Sequence, residues 1–178
     1  MDPRTAELTT LIDRKAIRDV ITRVARGEDR RHAGLLRSAY WPEATIDFGV
    51  MAGGFDDYLG WCVPGSPAIP VTQHMLGQTL ISLKADAAKA ETYVQSYHRV
   101  VAEGGERDTA MGGRYLDALE KRDGEWRIAA RVMLYDWDRD LGAAADWSKG
   151  LMGMPFTGDH YTGRSAGDFS EGWFAADS

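Results

Sequence analysis

Imidazole is the side chain whose ordinary pKa lets it exchange protons near neutral pH, and the chain has four: His32, His74, His98 and His160. His98 lies in AETYVQSYHRVVA, a segment with the two-residue alternation of a strand. Its parity groups it with Ala90, Thr92, Val94, Ser96, Val100 and Ala102, the small and mostly apolar face that should point inward. It is therefore either a hydrogen-bonded core histidine or a general acid or base in a dry cavity. His74 opens the preceding strand in VTQHMLGQT, and Asp29 follows a helix in ARGEDRRH. A carboxylate beside an imidazole fixes its tautomer and raises its basicity. Asp29 could do this for His74 or serve only as a turn residue. Arg131 interrupts the apolar strand WRIAARVMLYDW; facing inward, it would either hold an anionic or phenolic oxygen or form a buried ion pair. Tyr115 and Asp117 in RYLDAL carry the same ambiguity.

Other chemistries lack their motifs. HExxH, HxH and paired cysteines are absent, so no metal site is expected, and no GxSxG, P-loop or GxGxxG supports triad hydrolysis or nucleotide binding. Cys62 is the lone thiol, which excludes an intramolecular disulfide. The 178 residues carry a net charge of −6, from 21 Lys+Arg against 27 Asp+Glu, which gives no footprint for nucleic acid. No apolar run approaches the roughly 18 residues of a membrane-spanning helix, and MDPRTAELTT lacks the regions of a signal peptide. No membrane partner and a cytoplasmic location are the expectations. Six Trp, seven Tyr, five Phe and seven Met stand out in so short a chain. Taken singly, each such residue is explained by core packing.

These groups must be positioned by a single domain spanning 1–178. Leu8, Leu11, Ile12, Ile17, Val20, Ile21 and Val24 recur at helical spacing, giving one amphipathic helix or two in succession, started by Asp2-Pro3 or Asp13 and ended by Gly27. Glu28 and Asp29 then fall in a turn. A short helix through Leu35 and Leu36 should stop before Pro42, leaving Tyr40 and Trp41 at its end. Ala44–Val50 reads as a strand and Phe55–Trp61 as a short helix. Four long strands follow, approximately Thr72–Lys84, Lys89–Ala102, Thr109–Lys121 and Glu125–Trp137. The breaks between them have hairpin chemistry, strongest at Arg122-Asp123-Gly124. Helices followed by a meander predict an α+β fold with a curved antiparallel sheet wrapped around N-terminal helices. Residues 138–178 form a glycine-rich C-terminal extension with large aromatic side chains, expected to pack over the pocket or a neighbouring subunit.

The succession IRDVITRVARGEDRRHAGLLRSAYWPEATIDFG, VTQHMLGQT, AETYVQSYHRV and MGGRYLDALEKRDGEWRI resembles the NTF2-like superfamily in its SnoaL-like branch, over roughly residues 8–137. Within that branch it is similar to the lyases scytalone dehydratase and hexachlorocyclohexane dehydrochlorinase. The resemblance implies a cone-shaped fold with a deep pocket between sheet and helices, no cofactor, and a catalytic Asp-His dyad at Asp29 and His74. The TQH of Thr72–His74 and the spacing from Asp29 to the IDF of Ile46–Phe48 match the dehydratase. His98 falls on its second histidine, and Arg131 falls on an arginine of the dehydrochlorinase site. Glu28 and Phe48 stand where the dehydratase has tyrosines, Tyr115 where it has an asparagine, and Val24 where the dehydrochlorinase has a lysine. The dyad positions match while the substrate-reading groups differ, which points away from scytalone and from dehalogenation.

The expected function is a cofactor-independent lyase that eliminates water, or a carbon fragment such as formaldehyde, from a small aromatic or polycyclic compound. His74, oriented by Asp29, would remove a proton, and His98, with Tyr115 or Arg131, would protonate or stabilise the departing oxygen. Tyr40, Trp41, Phe48, Tyr115 and Arg131 would bind the substrate. Two alternatives stand beside this: a ketosteroid-isomerase-like double-bond shift using Asp117 or Asp29, and a noncatalytic ligand-binding or dioxygenase small-subunit-like module. By analogy with both lyases, a homo-oligomer is expected, a trimer before a dimer.

Overall fold

A computed structural model describes residues 2–158, 160 and 168–175. The first helix, α1 (Pro3–Asp29), begins with Pro at its first turn, where the missing N–H has no intrahelical role. Of the two starts the sequence offered, Asp2-Pro3 is the one used. Asp13 lies inside the helix, buried, and accepts hydrogen bonds from Lys121 Nζ and Trp126 Nε1, both at 2.8 Å. Ile17, Val20, Ile21 and Val24 form the buried stripe. Gly27 does not end the helix, which continues through Glu28 to Asp29. A Cβ at Gly27 would lie 2.7 Å from Cδ2 of the fully buried Leu36 on α2 (Ala33–Ala39), so this glycine permits close helix packing. His32 caps α2 through its Nδ1, which accepts from Leu35 N at 3.1 Å.

The chain then enters β1 (Tyr40–Asp47), so Tyr40 and Trp41 open a strand and are not the end of a helix. A register irregularity between Tyr40 and Thr45 accommodates Pro42. A short β2 (Ala52–Gly54) and α3 (Phe55–Cys62) precede the four long strands β3 (Val71–Lys84), β4 (Ala87–Ala102), β5 (Gly105–Arg122) and β6 (Glu125–Ala143). The last runs past Trp137 into the segment expected to begin the C-terminal extension. Asp123 and Gly124 both have positive φ, 52° and 84°, as an Asp-Gly hairpin turn requires.

The sheet order is β2-β1-β6-β5-β4-β3. Its four-strand meander is antiparallel as expected, while β1 joins it parallel to β6. Together with α1 to α3 this forms an open, cone-like α+β fold. One face of the meander, with Ala88, Ala90, Val94, Tyr115, Leu119 and Ile128, merges with α1, α2 and α3 into one core. Beyond β6, β7 (Gly150–Leu151) and β8 (Met154–Pro155) make a small hairpin, and α4 (Phe169–Ala175) follows. Among the described residues no helix is long and apolar enough to cross a membrane.

Burial works against the Asp13 carboxylate, but its bonds to Lys121 and Trp126 outweigh this and hold its pKa below the ordinary value. Asp13→Ala removes both bonds and leaves the indole N–H buried without an acceptor. It should destabilise the protein by about 1–3 kcal/mol in urea unfolding at neutral pH. Because the folded-state pKa is depressed, the wild-type advantage should shrink as pH falls through the carboxylate range.

Candidate active site

The continuation of α1 past Gly27 delivers two acidic residues to the start of β3. Asp29 uses both carboxylate oxygens on one residue: Oδ2 accepts the backbone N–H of His74 at 3.0 Å, and Oδ1 lies 2.7 Å from His74 Nδ1. This grip assigns the ring proton to Nδ1 and leaves Nε2 as the nitrogen available for exchange. Nε2 lies 3.6 Å from Oε2 of Glu28. The other oxygen of Glu28 accepts from Tyr58 of α3 at 2.6 Å, whereas Oε2 has no hydrogen bond among the described residues. Burial works against a charged His74. Glu28's charge and Asp29's hydrogen bond and charge outweigh it, so the imidazole pKa is raised above 6.5.

His98 faces the same space from β4. Its ring centre is 5.9 Å from that of His74, nearly perpendicular to it at 86°. Nδ1 of His98 is buried without a hydrogen-bond partner among the described residues, as is Oγ1 of Thr72, its cross-strand neighbour. Burial, reinforced by the charge of His74, pushes the His98 pKa down to about 4, so this ring is neutral at neutral pH. The two histidines are thus separated electrostatically, one favouring the cation and the other refusing it.

These groups form the polar end of a cavity of about 270 Å³, to which Glu28, Thr72, His74, Ser96 and His98 contribute. Its walls include Phe48, Trp61, Met111, Tyr115, Met133 and Tyr135. Phe48 stacks on Tyr58 at 5.9 Å and meets Trp61 and Tyr115 at 5.7 and 6.1 Å. The Tyr135 hydroxyl donates to the Phe48 carbonyl at 2.9 Å, pinning that wall. Arg31 also borders the cavity and donates to the carbonyls of Pro64, Ser66 and Ile69.

Three residues expected to bind substrate do not line the cavity. Arg131 is fully buried in a two-pronged ion pair with Asp117, Nε to Oδ1 at 2.7 Å and Nη2 to Oδ2 at 2.8 Å. The buried ion pair, one of the alternatives the sequence left open, is therefore the arrangement present. Its guanidinium carbon lies 4.0 Å from the centre of the Tyr115 ring, so Arg131 supports a wall from behind. Tyr40 packs on Phe55 and Tyr58 in the layer beneath Phe48. Trp41 lies beside Arg122 and Arg127, its indole N–H donating to the Glu120 carbonyl. Tyr58 went unnoticed in the sequence, and Glu28 registered as a turn residue and as a departure from a family pattern. The signal for Glu28 was the acidic pair ED at the end of a long helix.

The C-terminal extension contributes no cavity-lining residue among those described. It returns to the end of α1, where Arg30 Nε pairs with Asp168 at 3.1 Å and Arg26 donates to Ser170 at 3.2 Å. The expectation that it covers the pocket also concerns residues 159, 161–167 and 176–178, which lie outside the described set. No group of three or more His, Cys, Asp or Glu among the described residues could hold a metal ion.

The opposed titrations have opposite consequences for stability. Below pH 6.5 the unfolded chain protonates His98 while the folded chain refuses the proton until about pH 4, so this residue costs stability as pH falls across that window. The raised pKa of His74 contributes stability below 6.5 that is lost as pH rises through its folded value. An NMR titration should find the His98 ring neutral at pH 5.5, and His98→Gln should lose least stability, relative to wild type, near pH 4. Protonation of His98 close to 6.5 would contradict the buried, unpaired environment.

The sequence model of the SnoaL-like domain matches residues 9–132. No curated protein sequence matches the chain. Among solved structures, a type-2 hexachlorocyclohexane dehydrochlorinase is 21% identical with a TM-score of 0.70, covering 87% of this chain and 99% of its own. A scytalone dehydratase-like protein of Novosphingobium aromaticivorans is 20% identical with a TM-score of 0.66, covering 83% and 98%. The Kfla4162 protein of Kribbella flavida is 21% identical with a TM-score of 0.66, covering 73% and 95%. At these identities the likeness is one of fold.

Proposed function

This chain belongs to the SnoaL-like domain family, and from that premise we propose that it is a lyase. It eliminates water, or a one-carbon fragment such as formaldehyde, from a small aromatic or polycyclic compound by acid-base chemistry at His74. The observation that carries this reading is the double grip of Asp29, which fixes the imidazole of His74 at the polar end of the cavity. An elimination of water requires one proton taken and one given, and side chains at the polar end of the cavity can do both. Positioned proton transfer contributes roughly 10²- to 10⁴-fold, and donors fixed in a dry cavity add to it. The solved structures of similar fold named as a dehydrochlorinase and as scytalone dehydratase-like agree in reaction type.

His98 acts as a neutral hydrogen-bonding group, with Thr72 beside it, and Phe48 and Tyr115 form the walls against an aromatic ring. Arg131 acts only through Tyr115. The isomerase alternative loses both of the bases expected for it: Asp117 is committed to Arg131 and Asp29 to His74, so neither is an open carboxylate base. A noncatalytic module has no need of a carboxylate-oriented imidazole, with a second imidazole, in one cavity. The homo-oligomer remains part of the proposal, a trimer before a dimer. The outward face of β3, β4 and β6 supports it, since it exposes Met75, Leu80, Tyr93 and Leu134. Light scattering should return more than one chain per particle.

Assayed on a panel of hydroxylated aromatic alcohols with product analysis by mass, wild type should lose 18 or 30 mass units from at least one compound. His74→Ala should keep its circular dichroism spectrum and lose at least about a hundredfold in rate. Near-normal turnover by that variant would overturn the assignment, and a product of unchanged mass would favour isomerisation.

A further inference from the structure

The grip of Asp29 on His74 leaves Glu28 unexplained. Its side chain is 7% exposed, one oxygen is held by Tyr58, and the other has no hydrogen bond among the described residues while the residue borders the cavity. Leaving a carboxylate oxygen buried and unpaired is costly unless a donor arrives. The fixed group within reach is His74 Nε2, at a distance suited to an ion pair and longer than a hydrogen bond. Room therefore remains for a third participant to meet Oε2.

The charges around the pair indicate its resting state. His74 faces Glu28 and Asp29 from α1, His98 from β4 and the more distant Arg131 from β6. The electrostatic neighbours of Glu28 are Tyr58 and Cys62 on α3, His74 on β3, Tyr40 on β1, Tyr115 on β5 and Tyr135 on β6. Burial pushes Tyr58 well above its ordinary pKa, so it remains a phenol that donates to Glu28. Two carboxylates around one imidazole favour an imidazolium between them. An imidazolium has no lone pair with which to take a proton. The open base in that arrangement is the free oxygen of Glu28.

We propose that Glu28 is a second catalytic acid-base group of this cavity, its Oε2 taking the substrate proton while the His74 imidazolium gives its Nε2 proton to the departing oxygen. This rests on the lyase reading above. In a dehydration the C–H bond breaks and its proton goes to Glu28. The C–H electron pair forms the new double bond as the C–O bond breaks, and the hydroxyl leaves with the C–O bonding pair and takes the Nε2 proton to become water. Glu28 is then a carboxylic acid and His74 a neutral imidazole. One proton transfer across the 3.6 Å between them restores the starting state, so the site needs no external acid or base to turn over. The same arrangement predicts a substrate that donates a hydrogen bond or an acidic C–H to Oε2 in place of an anionic group.

Two measurements test this without the natural substrate. The first is an NMR titration of the His74 ring in wild type and Glu28→Gln, a change that keeps an oxygen for Tyr58. Loss of the carboxylate should lower the His74 pKa by about one unit. The second is base-catalysed ring opening of 5-nitrobenzisoxazole, an aromatic probe whose C–H proton must pass to a base as its N–O bond breaks. Wild type should open it at least about ten times faster than Glu28→Gln. Glu28→Asp, which keeps the charge and retracts the oxygen, should fall between and carries the test if Glu28→Gln does not fold. An unchanged His74 titration together with equal probe rates, or an aspartate variant as fast as wild type, overturns the proposal. If the wild type spares every hydroxylated aromatic alcohol yet gives the expected titration and probe rates, the lyase reading fails and the role of Glu28 as a base stands.

Discussion

The structure of this site depends on one carboxylate that binds the same residue twice. Asp29 takes both the backbone N–H and the ring Nδ1 of His74, tying the last turn of α1 to the start of β3. Hydrogen bonds to a charged group contribute about 1.5–3 kcal/mol each, so the pair is a structural clamp as well as an orienting device. The clamp needs α1 to reach Asp29 in helical geometry. That in turn needs Gly27, because a side chain there would meet Leu36 before the helix could finish. A packing constraint between two helices thus sets the position of the acidic pair, and the acidic pair sets the imidazole.

The remaining buried charges are arranged so that they do not compete with this clamp. Arg131 and Asp117 close on each other in a fully buried, two-pronged pair behind Tyr115. Such a pair recovers its desolvation cost only when the geometry is close and most of its polar atoms are matched. Its function in the fold is therefore to hold the ring of Tyr115 upright, with its positive charge offset locally. At this wall the cavity meets a tyrosine face and not the Arg131 guanidinium, and the polar end presents the Glu28 carboxylate and two imidazoles, with Asp29 holding one of them.

Much of the scaffold could be read from the sequence because the pattern-forming residues are local. The stripe Ile17, Val20, Ile21 and Val24 marked α1, the Asp123-Gly124 pair marked a hairpin, and alternation in β4 placed Ser96 and His98 on the inward face. The misreadings have a common cause, since each turned on a contact distant in sequence. Gly27 looks like a stop signal until Leu36 is packed against it. Tyr40 and Trp41 look like a helix end until β1 pairs in parallel with β6, a pairing that no hairpin signal announces. Arg131 could not be divided between ligand and ion pair without knowing that Asp117 lies directly across from it on β5. Glu28 was visible only as an unusual neighbour of Asp29, because its significance depends on Tyr58, thirty residues away.

The aromatic excess separates into two layers once the cavity is located. Tyr40, Phe55 and Tyr58 form an inner layer joined ring to ring, and Phe48 lies across it with one side against Tyr58 and the other toward the cavity. The inner layer carries the hydroxyl of Tyr58 to Glu28, so the packing aromatics also fix a polar group at the end of the cavity. A rigid ring scaffold suits that task, because a phenol has few rotamers to lose and its donor stays aimed. Core packing and site chemistry are consequently not separable here. The cluster that buries apolar area is the one that orients the carboxylate facing His74.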